Sequence, residues 1–262
     1  MTKRADDGSF FIWTSCGKVS IMNTLKNDLQ KTGKIYRELF LKASQAIDAK
    51  LYALKKNSLC NHCKKNCGID PENLDLFTKL PPECGMRFWQ EAAKNLLEEG
   101  ISKDILEKIN AINAKRDDSH CSMCASCCNL ASSEFSYEEL KQKAQNGDKF
   151  AAEFVSIFLP YESAEEAAKI YPDYIALIKE QFPEDKKISF YHCPKVGSDN
   201  LCTDYENRPQ ICRDFPSNPL VVFPPKCSYR KWKDEVEITA LLLHAMVEIV
   251  GFYKEKLNEA LG

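Results

Sequence analysis

Four thiols within eight residues, in the run Cys121-Ser-Met-Cys124-Ala-Ser-Cys127-Cys128, constrain this chain more than any other feature. A spacing of two intervening residues lets one tight turn bring successive thiolates onto a metal, while backbone amides of the turn donate to sulfur. The setting is polar and turn-rich, unlike the cores in which free cysteine packs as a small hydrophobe. Four further cysteines, Cys193, Cys202, Cys212 and Cys227, follow in a proline-rich stretch. Eight ligands suffice for two four-coordinate sites. The adjacent Cys127 and Cys128 project in different directions and can serve different metals.

The chain holds thirteen cysteines in 262 residues, with 36 basic and 38 acidic side chains and a net charge of −2. That balance creates no field of the kind that attracts nucleic acid or an acidic membrane. Near the start, only Phe10-Phe11-Ile12-Trp13 is apolar before polar residues return, so a secretory leader is not expected. No stretch reaches the length of a bilayer-spanning apolar helix: the most apolar one, Ile238–Phe252, is interrupted by His244 and Glu248, so membrane insertion is not expected either. A cytoplasmic location follows as an expectation. In that reducing compartment dense cysteines signal metal binding rather than disulfides.

Apolar periodicity predicts a mainly α fold, with irregular cysteine-rich metal-binding loops between helices and few or no short strands. Leu39, Ala43, Ile47, Leu51 and Leu54 mark one long amphipathic helix within residues 21–57, with Gly33 as its candidate break. Helices are expected over 86–98 and 101–115, the second capped by Ser102. Others should begin near Ser136 and Asp148, and another at Ser163, with Pro172 kinking or ending it. Residues 187–226 read as a metal-folded loop, with a strand-like piece at 220–223. A last helix, 232–261, has Val236, Leu243, Val247 and Val250 on one face. Two domains are expected: a helical region over 1–115, and a metal-binding module over 116–262 closed by that last helix.

The cysteine run, with Glu134 to Leu140 after it and then Cys193-Pro194, Cys202, Tyr205, Arg208-Pro209, Cys212-Arg213 and Phe215-Pro216, resembles the YkgJ-like family of zinc- or iron-chelating proteins, named for its CxxCxxCC motif. The resemblance spans residues 119–229. It implies a metal site built from Cys121, Cys124, Cys127, Cys128, Cys193, Cys202 and Cys212; Cys227 joins them by position alone. Some larger relatives are flagellin lysine methylases, but the chain carries no independent methyltransferase signature, and that activity would come by analogy only.

A second constellation lies outside that segment. Cys60, Cys63 and Cys67, with Cys84 further on, can close a tetrahedral zinc site or hold a cubane cluster. Their C-x2-C-x3-C order is the reverse of the radical S-adenosylmethionine run, and the helical pattern lacks that enzyme class's alternating strands. Cys16 is left over, an ordinary thiol. A tight cysteine run followed by a remote Cys-Pro matches the way ferredoxins hold cubane clusters. An iron–sulfur cluster of the 4Fe–4S type is therefore the favoured cofactor and zinc the alternative. Arg208, Arg213, Lys226 and Arg230 are placed to offset thiolate charge. His62, His120 and His192 adjoin cysteines as outer donors or exposed side chains.

Two functional classes fit these residues. One is a redox, metal-handling or cluster-dependent modifying protein acting on metal ions and a protein partner or protein substrate. The other is a zinc-stabilised protein-interaction module without catalysis. The chain contains no serine nucleophile elbow, Walker loop, dinucleotide fingerprint or HExxH motif, and no base is placed beside a particular thiol.

Overall fold

The computed structural model describes residues 28–57, 69–181, 187–221, 223 and 227–262. Cys16, Cys60, Cys63, Cys67, His62 and Lys226 lie outside the described residues. The fold is mainly α with few short strands, as the periodicity predicts. The described residues divide into two compact units: 28–34 with Asp118–Asp234, and Ile35–Asp117 together with Glu235–Gly262. Of the C-terminal helix, Arg230–Asp234 fall in the first unit and Glu235–Leu261 in the second.

In the helical unit, α1 (Asp28–Asn57) runs through Gly33 without the anticipated break. Helix α2 (Arg87–Asn95) passes into a π-helical segment, Leu96–Ile101, and on into α3 (Ser102–Asp117). The expected gap between two helices is thus a local widening of one continuous run. Ser102 is not a cap: its backbone is helical, and its Oγ donates to the Leu97 carbonyl five residues back at 2.7 Å. The same carbonyl accepts the Ser102 backbone N–H in the π register, so the hydroxyl adds a second bond to it. Gly100 accommodates the same segment, since a Cβ there would stand 2.8 Å from Leu96 Cδ1.

The core of this unit centres on Trp89, Leu51, Leu76, Met86, Leu97 and Leu257, all fully enclosed. Trp89 Nε1 donates to the Leu51 carbonyl at 2.8 Å, so the indole is both packed and satisfied. Gln90, equally buried, donates to the carbonyls of Leu76 and Thr78, both at 2.8 Å, and pins the irregular segment before α2. Cys84 is a buried free thiol of that segment.

The last helix, α10 (Arg230–Leu261), is long and apolar enough by length and composition to cross a membrane. This corrects the expectation that no stretch reaches that length: His244 and Glu248 interrupt the run, yet an 18-residue window tolerates them. Within its unit the helix buries Leu243, Ile249, Val250 and Leu257. Glu248 is engaged there too, accepting from the Tyr36 hydroxyl at 2.7 Å.

The cysteine-bearing unit is built on a small antiparallel sheet in the order β1-β3-β2: Ala131–Ser133, Ser189–His192 and Leu159–Pro160. Successive strand residues point to opposite faces. Phe190 accordingly enters a core with Leu130, Ala167, Tyr174, Ile175 and Ile178. Its neighbour Tyr191 enters a second core with Leu140, Ala151, Phe154 and Phe158. One strand therefore joins two helical layers. Of the strand expected at 220–223, the described residues 220, 221 and 223 form none; residues 219–221 make a turn and bend, in a proline-rich stretch that suits no ladder.

The helices of this unit begin where the sequence places caps. Helix α5 (Tyr137–Gln145) opens on a complete capping box, with Ser136 Oγ accepting from Glu139 N and Glu139 Oε2 accepting from Ser136 N at 2.7 Å. Asp148 caps α6 (Lys149–Ile157) at 2.9 Å, and Ser163 caps α7 (Ala164–Ala168) at 3.2 Å. Pro172 opens α8 (Pro172–Gln181) at the first helical position, where its missing N–H costs nothing.

These contacts set a graded stability series. Trp89→Ala should lower the unfolding free energy by about 3–5 kcal/mol, through the cavity and the lost indole hydrogen bond. Ser136→Ala should cost about 1 kcal/mol, since solvent can replace part of the cap. Urea denaturation followed by far-ultraviolet circular dichroism orders the two; equal losses would contradict the packing assigned to Trp89.

Candidate metal centre

Every cysteine of the Asp118–Asp234 unit is a free, half-buried thiol. All eight, Cys121, Cys124, Cys127, Cys128, Cys193, Cys202, Cys212 and Cys227, line one cleft of about 1330 Å³. They arrive there on three backbone devices.

The first is the loop and short helix carrying the run itself. Met123 and Ala125 both adopt left-handed backbone, at φ 53° and 54°, on either side of Cys124. This conformation costs a non-glycine residue about 1–2 kcal/mol. It coils the chain around the sulfurs, with Met123 N–H donating to Cys121 Sγ at 3.4 Å. Helix α4 (Ser126–Asn129) then presents Cys127 and Cys128 on successive positions, about 100° apart around its axis. The Tyr161 hydroxyl holds its end by donating to the Asn129 carbonyl at 2.7 Å.

The second device is the sheet. Pairing of β1 with β3 sets Ala131 opposite Tyr191. Just beyond that ladder, Cys193 N–H donates to the Cys128 carbonyl at 2.7 Å, locking the two cysteines side by side across 65 positions of sequence. A reverse turn closed by Gly197 N–H to the Leu201 carbonyl at 2.8 Å, with Val196 bridged to Cys202, folds Cys202 back towards Cys193.

The third device is the proline-bounded segment after the turn. Pro209 caps α9 (Gln210–Asp214), and Cys212 N–H donates to its carbonyl at 3.1 Å. Arg208 stacks on Tyr205, 3.5 Å from the ring centroid, and donates through Nε to the Tyr205 carbonyl at 2.9 Å. Arg213 binds the carbonyls of Arg208 and Glu206 at 2.7 and 2.5 Å. At the far end, Ser228 Oγ donates to the His120 carbonyl at 2.6 Å and accepts from Ser122 N at 3.2 Å, which lays Cys227 beside the start of the run.

The electrostatics follow this placement. Cys127 donates its S–H to Cys128, and that bond, with burial and the nearby Cys121 and Cys124, holds the Cys127 proton firmly. The same bond, helped by Arg208, draws Cys128 down to about 7. Burial first, and then Cys128, Cys193 and Cys202, push Cys212 up to about 11. Burial also raises Cys193, which senses Cys128 and Cys202, and Cys227, which senses Cys124 and Cys121. Crowded thiols thus resist ionising together, and a bound cation is the chemical species that reverses this.

Among the described residues, no three His, Cys, Asp or Glu side chains already surround a common point closely enough to hold an ion. The donor set nonetheless suits zinc or an iron–sulfur cluster: soft sulfur ligands in fours, with amide donors to sulfur and cations close by. Of the basic residues anticipated from sequence, Arg208 stands beside Cys128 and Cys212, and Arg230 beside Cys227. Arg213 instead braces the Arg208 loop. Lys195 was not anticipated; it lies beside Cys193 and Cys202 and also pairs with Asp204 at 2.5 Å. Its position two residues after Cys193 was the available signal. Tyr174 was likewise missed: a buried tyrosine that senses Cys127 and Cys227, its own proton held by burial. His120 is exposed, and the His192 ring packs against Tyr161 with centroids 4.9 Å apart.

Comparison with known proteins gives one match. Residues 120–236 fit the family described as "CxxCxxCC: Putative zinc- or iron-chelating domain". No curated protein and no solved structure matches the chain. The matched segment, under half of the chain, takes in all eight cleft cysteines with Arg208 and Lys195, so residues 120–236 are similar to the CxxCxxCC zinc- or iron-chelating family and share its cysteine-ligated, metal-binding pattern.

Proposed function

We propose that this protein binds metal through Cys121, Cys124, Cys127, Cys128, Cys193, Cys202, Cys212 and Cys227, that the metal is iron in iron–sulfur form, and that it serves a redox, metal-handling or cluster-dependent modifying role in a reducing compartment such as the cytoplasm. The observation that carries this reading is the convergence of all eight thiols on one cleft with Arg208, Lys195 and Arg230 beside them. Half-buried thiols facing an open cleft suit a centre that exchanges electrons or meets a substrate. When bound, a cluster would supply one-electron chemistry. The chain's own residues would hold it, donate backbone amides to its sulfur ligands and balance their charge. Cys60, Cys63, Cys67 and Cys84 form a separate proposed ligand set.

A zinc-stabilised interaction module is the second reading, and one observation favours it. Between Cys193 and Cys227 the described chain has one five-residue helix, and its interior contribution is Phe223 with Pro216 and Pro219. A segment so poor in core depends on ligation for its fold, and closed zinc serves that purpose as well as a cluster does.

Protein purified without oxygen should be brown, absorb near roughly 400 nm and carry iron and acid-labile sulfide in equal amounts; colourless protein with stoichiometric zinc would decide for the second reading. Cys124→Ala and Cys212→Ala should lose metal and solubility together, and Cys16→Ala neither; a soluble, fully metallated Cys124→Ala protein would remove that cysteine from the ligand set. Arg208→Ala keeps every thiol but withdraws the cation beside Cys128 and Cys212. Its metal affinity, read by competition with a chromophoric chelator, should fall by roughly 10–100-fold.

A further inference from the structure

The eight cleft cysteines need not act as one set. Cys227 lies against Cys121 and Cys124, because Ser228 bonds both the His120 carbonyl and the Ser122 amide. Cys127 bonds Cys128 through its thiol and also senses Cys121 and Cys124, and buried Tyr174 senses Cys127 and Cys227. Elsewhere in the cleft, the Cys193–Cys128 backbone bond and the turn returning Cys202 gather a different group, and Cys212 on α9 faces all three of those thiols. The basic residues divide in the same way: Arg230 beside Cys227, Arg208 and Lys195 beside the others. A smaller hollow of about 270 Å³ is bordered by Cys121, Cys212, Arg208 and Arg213, a member of each group with two cations.

Resting on the metal-binding reading above, we infer that the domain holds two distinct four-cysteine metal sites, one of Cys121, Cys124, Cys127 and Cys227 and the other of Cys128, Cys193, Cys202 and Cys212. They adjoin at Cys127 and Cys128, consecutive residues of α4 whose thiols hydrogen-bond across the boundary between the two sets. Each quartet matches the tetrathiolate set that zinc or a cubane cluster requires. Each contains at least one ligand brought in from beyond residue 190, so neither site exists until the distant segments are in place.

The test uses the full-length chain reconstituted with cadmium-113(II), a tetrathiolate probe. Proton–cadmium correlation spectra report which cysteine β-protons share a metal. Cys121, Cys124, Cys127 and Cys227 should couple to one resonance, and Cys128, Cys193, Cys202 and Cys212 to another. A resonance shared by Cys124 and Cys202, or Cys127 coupled to both metals, would overturn the division while leaving metal binding intact. Failure of these eight cysteines to take up cadmium, zinc or iron would instead overturn the metal-binding reading and the division with it.

Variants supply an independent readout, as zinc and iron per chain. Cys227→Ser should lose one site's metal, and adding Cys121→Ser should lose no more. Adding Cys202→Ser should lose the second site's metal as well. Loss of all metal from the domain on Cys227→Ser alone, in protein that remains soluble, would point to a single shared centre and refute the division.

Discussion

The hydrogen bond from Cys193 N–H to the Cys128 carbonyl is the join on which the domain depends. It continues the β1–β3 ladder by one contact and thereby ties the local cysteine run to everything that follows residue 190. The ladder is held from both sides, because β3 places Phe190 in one core and Tyr191 in the other. Packing of ordinary apolar side chains thus sets the position of thiols whose own environment is polar. A metal site can be assembled from a loop only when its scaffold is independently rigid, and here a strand of four residues supplies that rigidity.

Electrostatics then explain why the cleft suits a cation. Bringing eight thiols together raises the cost of ionising each one, and the arrangement leaves Cys127, Cys193, Cys212 and Cys227 all shifted towards their protonated forms. Arg208, Lys195 and Arg230 offset only part of this, each at a different edge of the group. The coiled backbone at Met123 and Ala125 is a further cost borne at the same place. Strain and repulsion gathered at one site are characteristic of groups held for a ligand rather than for the stability of the free chain.

Signals carried by neighbouring residues were legible in advance. Ser136, Asp148 and Ser163 cap helices as read, because a cap is satisfied by the amides just after it. Pro172 separates two helices for an equally local reason. Ser102 misled, since a serine before a helical pattern looks the same whether it starts a helix or stabilises a π turn inside one. The strands were missed because Ser189–His192 finds its partners at residues 131–133 and 159–160, pairings that no window of sequence contains. Lys195 went unnoticed because its importance depends on the turn that returns Cys202 alongside Cys193.

The sequence by itself determined the chemistry of this protein: soft ligands in metal-binding spacing, basic residues among them, and helices whose faces and caps follow from local periodicity. Tertiary structure alone decided which thiols become neighbours. It also decided that the last helix gives most of its length to the helical unit, and that Cys193 lies against Cys128. The physical reason is one of range. Propensity, capping and ligand type are properties of a few adjacent residues, whereas a ligand shell is a meeting of segments that are brought together only by strand pairing and core packing far along the chain.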